Sequence, residues 1–156
     1  MGGQLILIRH GIAEERTPEG DDFYRKLTEA GVEEMTAFLP DIAPLLTEDG
    51  NLKIWTSPLL RARETAELVA EATAVEEIQP QEFLATGDFV AFMDALKQED
   101  EGFNLALVGH EPYMRSRRKE LIGGAIPFKH SAVAFFTVDL SEGPIGKLEW
   151  LLAPGE

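Results

Sequence analysis

The sequence predicts an α/β protein, and three observations carry that reading. Leu5-Ile6-Leu7-Ile8 and Leu105-Ala106-Leu107-Val108 are continuous apolar runs too short for helices, so they read as strands buried on both faces. Each run stops at a histidine-bearing polar step, Arg9-His10-Gly11 in the first case and Gly109-His110 in the second. Between such runs the apolar residues recur at helical spacing, giving strand, turn and helix in alternation. In open α/β sheets ligands bind at the C-terminal ends of the strands, where both histidines fall.

The remaining elements follow in order. Ile12 to Tyr24 is polar, contains Pro18, Gly20 and Asp21-Asp22, and reads as a surface loop. Thr28 is a candidate helix N-cap, with Leu27 and Val32 placed to staple across it, and Val32, Met35, Phe38 and Leu39 form the apolar stripe. Pro40 is expected to break or kink that helix, leaving a short second piece over Ile42 to Leu46. Lys53-Ile54-Trp55-Thr56 reads as a second strand running into Ser57-Pro58, with Ser57 as cap and Pro58 at the first helical position. Ala62, Ala66 and Val69 give the following helix a narrow apolar stripe. Arg61 lies in its first turn, where the helix dipole disfavours cations, so it reads either as a holder of an anion or as a solvated surface residue. Arg63 reads as surface.

Ile78 to Leu84 is expected to be extended, and Asp88 to cap a helix whose Phe89, Phe92, Met93 and Leu96 form a core stripe. Tyr113 to Ile122 reads as a helix carrying Arg115, Arg117, Arg118 and Lys119, either a solvated basic face or a patch for an acidic partner. Ala132 to Leu140 and Lys147 to Leu152 read as strands joined by Ser141-Glu142-Gly143-Pro144. That link is too short for a crossover helix, so they pair antiparallel at one side of the sheet.

The chain of 156 residues has the size of a single domain, with 44% hydrophobic and 27% charged residues. No run approaches the length needed to span a bilayer and the start lacks a signal-peptide layout, so the expectations are cytoplasmic residence and a monomer. A formal net charge of −14 argues against nucleic acid and anionic membranes as partners. An anionic substrate must then be drawn by a local cluster of the few cations.

If the strands are parallel neighbours, His10, His110 and Arg61 converge. Imidazoles and guanidiniums around one pocket suit a tetrahedral dianion, because the arginine fork matches phosphate oxygens. With no cysteine, no Asp-x-Asp and no Walker loop, histidine remains as the nucleophile for phosphoryl transfer. A phosphoryl-binding regulatory module with weak turnover is a second reading. A metal site built from His10, His110 and His130 is a third, although His130 itself reads as structural or exposed.

Arg9-His10-Gly11 after a first strand, Ser57-Pro58-x-x-Arg61-Ala62-x-x-Thr65-Ala66 and Gly109-His110 together resemble the histidine phosphatase superfamily. Arg25-Lys26-Leu27-Thr28-Glu29-Ala30-Gly31 is similar to the small SixA-type phosphohistidine phosphatases. The resemblance spans residues 5 to about 140. It implies a three-layer α/β/α sandwich of the phosphoglycerate-mutase-like kind, with a mostly parallel central sheet and no large cap domain. His10 matches the nucleophile, Arg9, Arg61 and His110 the phosphate pocket, Arg25 a further phosphate contact, and Glu82 the proton donor. No metal or cofactor is implied, and the expected substrate is a phosphohistidine in a signalling protein, small phosphoesters being the alternative. Two departures stand out. Lys26 replaces the usual proline, which is expected to loosen the presentation of Arg25, and the basic run Arg115 to Lys119 replaces a more apolar helix, which puts packing beside His110 in question.

Overall fold

A computed structural model describes residues 2–48, 50–110, 129–140 and 145–154. The helix expected at Tyr113 to Ile122, the basic run Arg115 to Lys119 and the 141–144 link lie outside the described residues.

The elements in chain order are β1 (Gly2–Arg9), a 3-10 turn (Asp22–Tyr24), α1 (Glu29–Thr47), β2 (Leu52–Thr56), α2 (Leu60–Thr73) and β3 (Ile78–Pro80). There follow α3 (Phe83–Thr86), α4 (Phe89–Leu96), β4 (Phe103–Gly109), β5 (Val133–Asp139) and β6 (Ile145–Leu152). The strands form a six-stranded sheet in the order β3-β2-β4-β1-β5-β6. The first four in chain order run parallel, and β5 and β6 close one side as the expected antiparallel pair.

Alternation along the strands divides the core into two halves. Ile6, Ile8, Ile54, Ala106 and Val108 face Met35, Ile42, Ala62, Ala66 and Val69 of α1 and α2. Leu5, Leu7, Trp55, Leu105 and Leu107 face Phe83, Phe92, Met93 and Leu96 of α3 and α4. Helices on both faces of a largely parallel sheet make three layers, and the described residues contain no large cap domain. Among these residues no helix is long and apolar enough to cross a membrane.

Three local expectations are corrected. α1 runs without interruption through Pro40 and Pro44. Both prolines are on the exposed side, where water can satisfy the carbonyls they leave unbonded. Met35, Phe38, Leu39, Ile42 and Leu46 form one buried stripe across both, so packing outweighs the local penalty of roughly 3 kcal/mol for an interior proline. α2 starts at Leu60, so Pro58 precedes the helix. Ser57 does not cap it but accepts from the Leu59 amide at 3.2 Å while also bonding His110. The extended segment stops at Pro80, because the next backbone amide, that of Gln81, bonds Thr56 O and the chain then turns into α3, burying Phe83 and Leu84 together. The Thr28 and Asp88 caps form as expected, accepting from the amides of Gly31 and Ala91.

This topology fixes the position of the site. β1 and β4 are parallel neighbours in register, Arg9 opposite Gly109, so His10 and His110 leave adjacent strand ends. β2 flanks β4 on its other side with Thr56 opposite Val108, which brings the start of α2 to the same edge. Gly31, in the first turn of α1, lets the loop after His10 pass against the helix, since a Cβ there would meet the carbonyl oxygen of Ile12.

Candidate active site

His10 is only 7% exposed, and its Nδ1 is 2.7 Å from the carbonyl oxygen of Gly11. A carbonyl can only accept, so Nδ1 carries the proton and the neutral ring keeps its lone pair on Nε2. The loop itself is braced: the Gly11 amide donates to Thr65 Oγ1 at 3.1 Å, and that hydroxyl donates to Arg61 O at 2.8 Å. Burial pushes the His10 pKa down to about 3. The bond to Gly11 opposes this, while His110, Arg61 and Arg9 reinforce it. At neutral pH the ring is therefore uncharged and keeps its Nε2 lone pair.

His110 is 5% exposed, with its ring centroid 5.1 Å from that of His10. Its Nε2 is 2.6 Å from Ser57 Oγ, and its buried Nδ1 has no hydrogen-bond partner. Burial and then Arg61 lower its pKa to about 4, against the opposing effect of Asp22.

Arg61 is buried, not solvated. Its Nη1 donates to Asp22 O at 2.9 Å and its Nη2 lies 3.4 Å from Asp22 Oδ2, while its buried Nε has no partner. The Asp22 carboxylate also meets Arg25 Nε at 2.8 Å and Arg16 Nε at 3.3 Å. Burial alone would raise the Asp22 pKa, but the arginines outweigh it and hold the pKa below the usual carboxylate range. Arg25 also donates to Glu14 O at 2.8 Å. Lys26, at the position of the usual proline, is held through its backbone. Its backbone amide, which proline would lack, bonds Glu14 Oε1, and its carbonyl accepts from the Glu14 amide.

Arg9 ends β1, with its Nη2 3.3 Å from His130 Nε2. The ring of His130 is 5.7 Å from that of His10, so a residue read from the sequence as structural or exposed lies beside the nucleophile candidate. Ser131, which follows it, is fully buried at a positive φ of 62°, a conformation that costs a non-glycine residue about 1 kcal/mol or more. The structure thus brings together His10, Arg9, His110 and Arg61, with Arg25 linked through Asp22. Glu82 is exposed ahead of α3, and among the described residues no hydrogen bond or ion pair joins it to the cluster. Asp22, Ser57, Thr65 and His130 were missed as site residues. For Asp22 the three-residue step to Arg25 was an available signal.

Among the described residues no group of three or more His, Cys, Asp or Glu side chains is arranged to hold a metal ion. A cleft of about 340 Å³ between the start of α2 and β3 is lined by Phe23, Thr56, Pro58, Arg63, Glu67, Ile78 and Pro80, and by none of the cluster residues.

The two buried imidazoles make stability acid-sensitive. Their pKa values are lower folded than unfolded, so from about pH 6.5 down to their folded values the unfolded chain binds more protons. Stability is full above that window and falls as pH drops through it, by up to roughly 1.4 kcal/mol per pH unit for each imidazole. Asp22 adds the same sign at lower pH, since its depressed pKa is lost as stabilisation when acid protonates it. Urea titrations at about pH 7 and about pH 5 are expected to give a lower midpoint in acid; equal midpoints would contradict the burial of these rings.

The sequence profile of the histidine phosphatase superfamily (branch 1) matches residues 5–90. An uncharacterized protein of Picosynechococcus is 36% identical over 114 residues, covering 70% of this chain and 67% of that protein. The crystal structure of a protein described as phosphohistidine phosphatase SixA from Agrobacterium tumefaciens superposes with a TM-score of 0.81 at 24% identity, covering 99% of each chain. A structure of the protein histidine phosphatase SixA complexed with tungstate superposes with a TM-score of 0.80 at 26% identity, covering 97% of each. The family match over residues 5–90, together with the shared fold, places the chain in the histidine phosphatase superfamily as a histidine-nucleophile phosphatase of the SixA-like kind.

Proposed function

We propose that the protein hydrolyses a phosphohistidine carried by a signalling protein, with His10 as the residue that becomes phosphorylated. The observation that carries this reading is a set of buried nitrogens at one sheet edge, where the His10 and His110 ring centroids are 5.1 Å apart. His10 keeps a lone pair on Nε2, and among the described residues Arg61 Nε and His110 Nδ1 are buried without partners. Unpaired buried donors are costly, and phosphoryl oxygens would satisfy them. His110 donates from Nδ1 when the Ser57 hydroxyl donates to Nε2, a tautomer their 2.6 Å contact allows. The related SixA structure is a complex with tungstate, a tetrahedral oxyanion of similar shape.

The reaction proceeds in two displacements. His10 Nε2 attacks phosphorus, a P–N bond forms, the bond to the leaving atom breaks, Arg9, Arg61 and Arg25 neutralise the oxygens, and the neutral His110 donates a hydrogen bond to them. Water then attacks the phosphorylated His10, releasing inorganic phosphate and restoring the neutral ring. Charge neutralisation by guanidiniums takes the part that a divalent metal plays in other phosphoryl transfers.

The leaving group decides the substrate. Glu82, the one acid matched to a proton donor, is exposed and unlinked to the cluster, which disfavours poor alkoxide leaving groups. An imidazole leaving group is readily protonated by solvent and needs such an acid less. Comparing kcat/KM on a phosphohistidine protein, a sugar phosphate and an aryl phosphate tests this directly. The phosphohistidine protein is expected to exceed the sugar phosphate by at least about 100-fold, the scale of one general-acid contribution. A sugar phosphate turned over as well would move the assignment to small phosphoesters, and oxyanion binding without turnover to a regulatory module.

A further inference from the structure

We infer that His130 is a positioning residue for Arg9, directing the guanidinium toward the phosphoryl group through an acceptor nitrogen that is available only while the imidazole is neutral. The inference rests on the proposed role of Arg9 in holding phosphate, and adds a residue that the resemblance does not supply.

The placement of His130 is built by the backbone. The Ser131 amide donates to His10 O at 3.2 Å, the Arg9 amide to Ala132 O at 3.0 Å, and the Ala132 amide to Lys129 O at 3.0 Å. The turn between them is held by Ser131 in the left-handed region, a conformation that persists only where its surroundings impose it. The imidazole is thereby locked to the strand end that carries both Arg9 and His10. A guanidinium has donors only, so in the 3.3 Å contact Arg9 Nη2 donates and His130 Nε2 accepts, leaving the ring proton on Nδ1.

Protonating that ring turns the acceptor into a donor facing a cation. Among the described residues the charged and titratable groups around it are Arg9 and His10 from the end of β1, Lys129 from its own turn, and Glu34 of α1. Glu34 and Lys129 share with it a cleft of about 200 Å³ that Ile12 and Pro154 complete. Burial and then Arg9 hold the His130 pKa below its ordinary value, which keeps the acceptor at neutral pH. Acid strong enough to protonate the ring makes the contact repulsive, so Arg9 turns away and phosphate affinity is lost.

The test measures KM and kcat between about pH 5 and about pH 8 for the wild type, His130→Gln and His130→Ala, with inorganic phosphate inhibition as a turnover-independent readout. Wild-type KM is expected to rise in acid. His130→Ala is expected to raise KM about tenfold at neutral pH with kcat changed by less than about threefold, the loss of one charge-assisted hydrogen bond. Gln offers an oxygen where Nε2 stood and cannot titrate, so His130→Gln is expected to restore most of the affinity and to abolish the rise in acid. Unchanged KM in His130→Ala, or a His130→Gln profile identical to wild type, would overturn the inference. A wild type that neither turns over nor binds phosphate instead strikes the reading of the pocket, and the inference falls with it.

Discussion

Replacing His10 with Ala is expected to lower kcat/KM by at least about 10⁴-fold, because it removes the atom positioned to accept the phosphoryl group. The structure gives this residue three properties that set it apart from its neighbours. Its Nδ1 is tied to Gly11 O at 2.7 Å, so the lone pair is forced onto Nε2. Its pKa of about 3 keeps that lone pair free over the whole working range. His110, the other buried imidazole, has its Nε2 occupied by Ser57 and is better suited to contact oxygen than to attack phosphorus. A loss of 10⁴ corresponds to about 5.4 kcal/mol of transition-state stabilisation, too large for a group that only binds. Steady-state kinetics on an aryl phosphate give the rate. Quenched reactions with a radiolabelled substrate should trap acid-labile phosphate on wild-type protein and none on the variant. Because the variant loses a buried imidazole that resists protonation, its stability should fall less steeply in acid than the wild type's, which shows that it is folded. Wild-type turnover by His10→Ala would remove His10 from the mechanism.

Much of this arrangement was legible in the chain because buried parallel strands write themselves as short apolar runs. The runs at Leu5 to Ile8 and Leu105 to Val108 both end where polarity begins, so the strand ends, and with them His10 and His110, could be located. Their adjacency follows from register, which sequence carries only indirectly, yet Arg9 does sit opposite Gly109. What was not legible depends on packing or on contacts between distant segments. α1 survives two prolines because the stripe of Met35, Phe38, Leu39, Ile42 and Leu46 stays buried on both sides of the break in its hydrogen bonds. Asp22 looks like any loop acid until folding sets it among Arg16, Arg25 and Arg61. His130 lies in the turn before β5 and shows no motif. It enters the site through backbone bonds that tie its turn to His10 and Arg9, far away in the chain.

Arg61→Lys is expected to lower kcat/KM by about 10² to 10³-fold while leaving the protein folded, and Arg61→Ala by more. The reason is geometry before charge. Lysine keeps the positive charge but has a single ammonium, whereas Arg61 uses Nη1 and Nη2 on Asp22 and keeps a third, unpartnered nitrogen, Nε, buried beside the histidines. The three donors of an ammonium share one nitrogen, which cannot occupy the separate positions of Nη1, Nη2 and Nε at once, so a phosphoryl oxygen competes with Asp22 for it. The loss should therefore appear partly as weaker inhibition by inorganic phosphate, which binds without reacting. Stability should change by only about 1 kcal/mol, because Asp22 is partly exposed and keeps Arg25 and Arg16 as partners. An Asp22→Asn background supplies the decisive comparison. If Asp22 is what occupies the introduced lysine, removing the carboxylate charge releases the ammonium and recovers part of the phosphate affinity in the double variant. A double variant no better than Arg61→Lys alone, with phosphate inhibition equal to wild type, would show that Arg61 serves the fold of the Asp22 loop and does not touch the substrate.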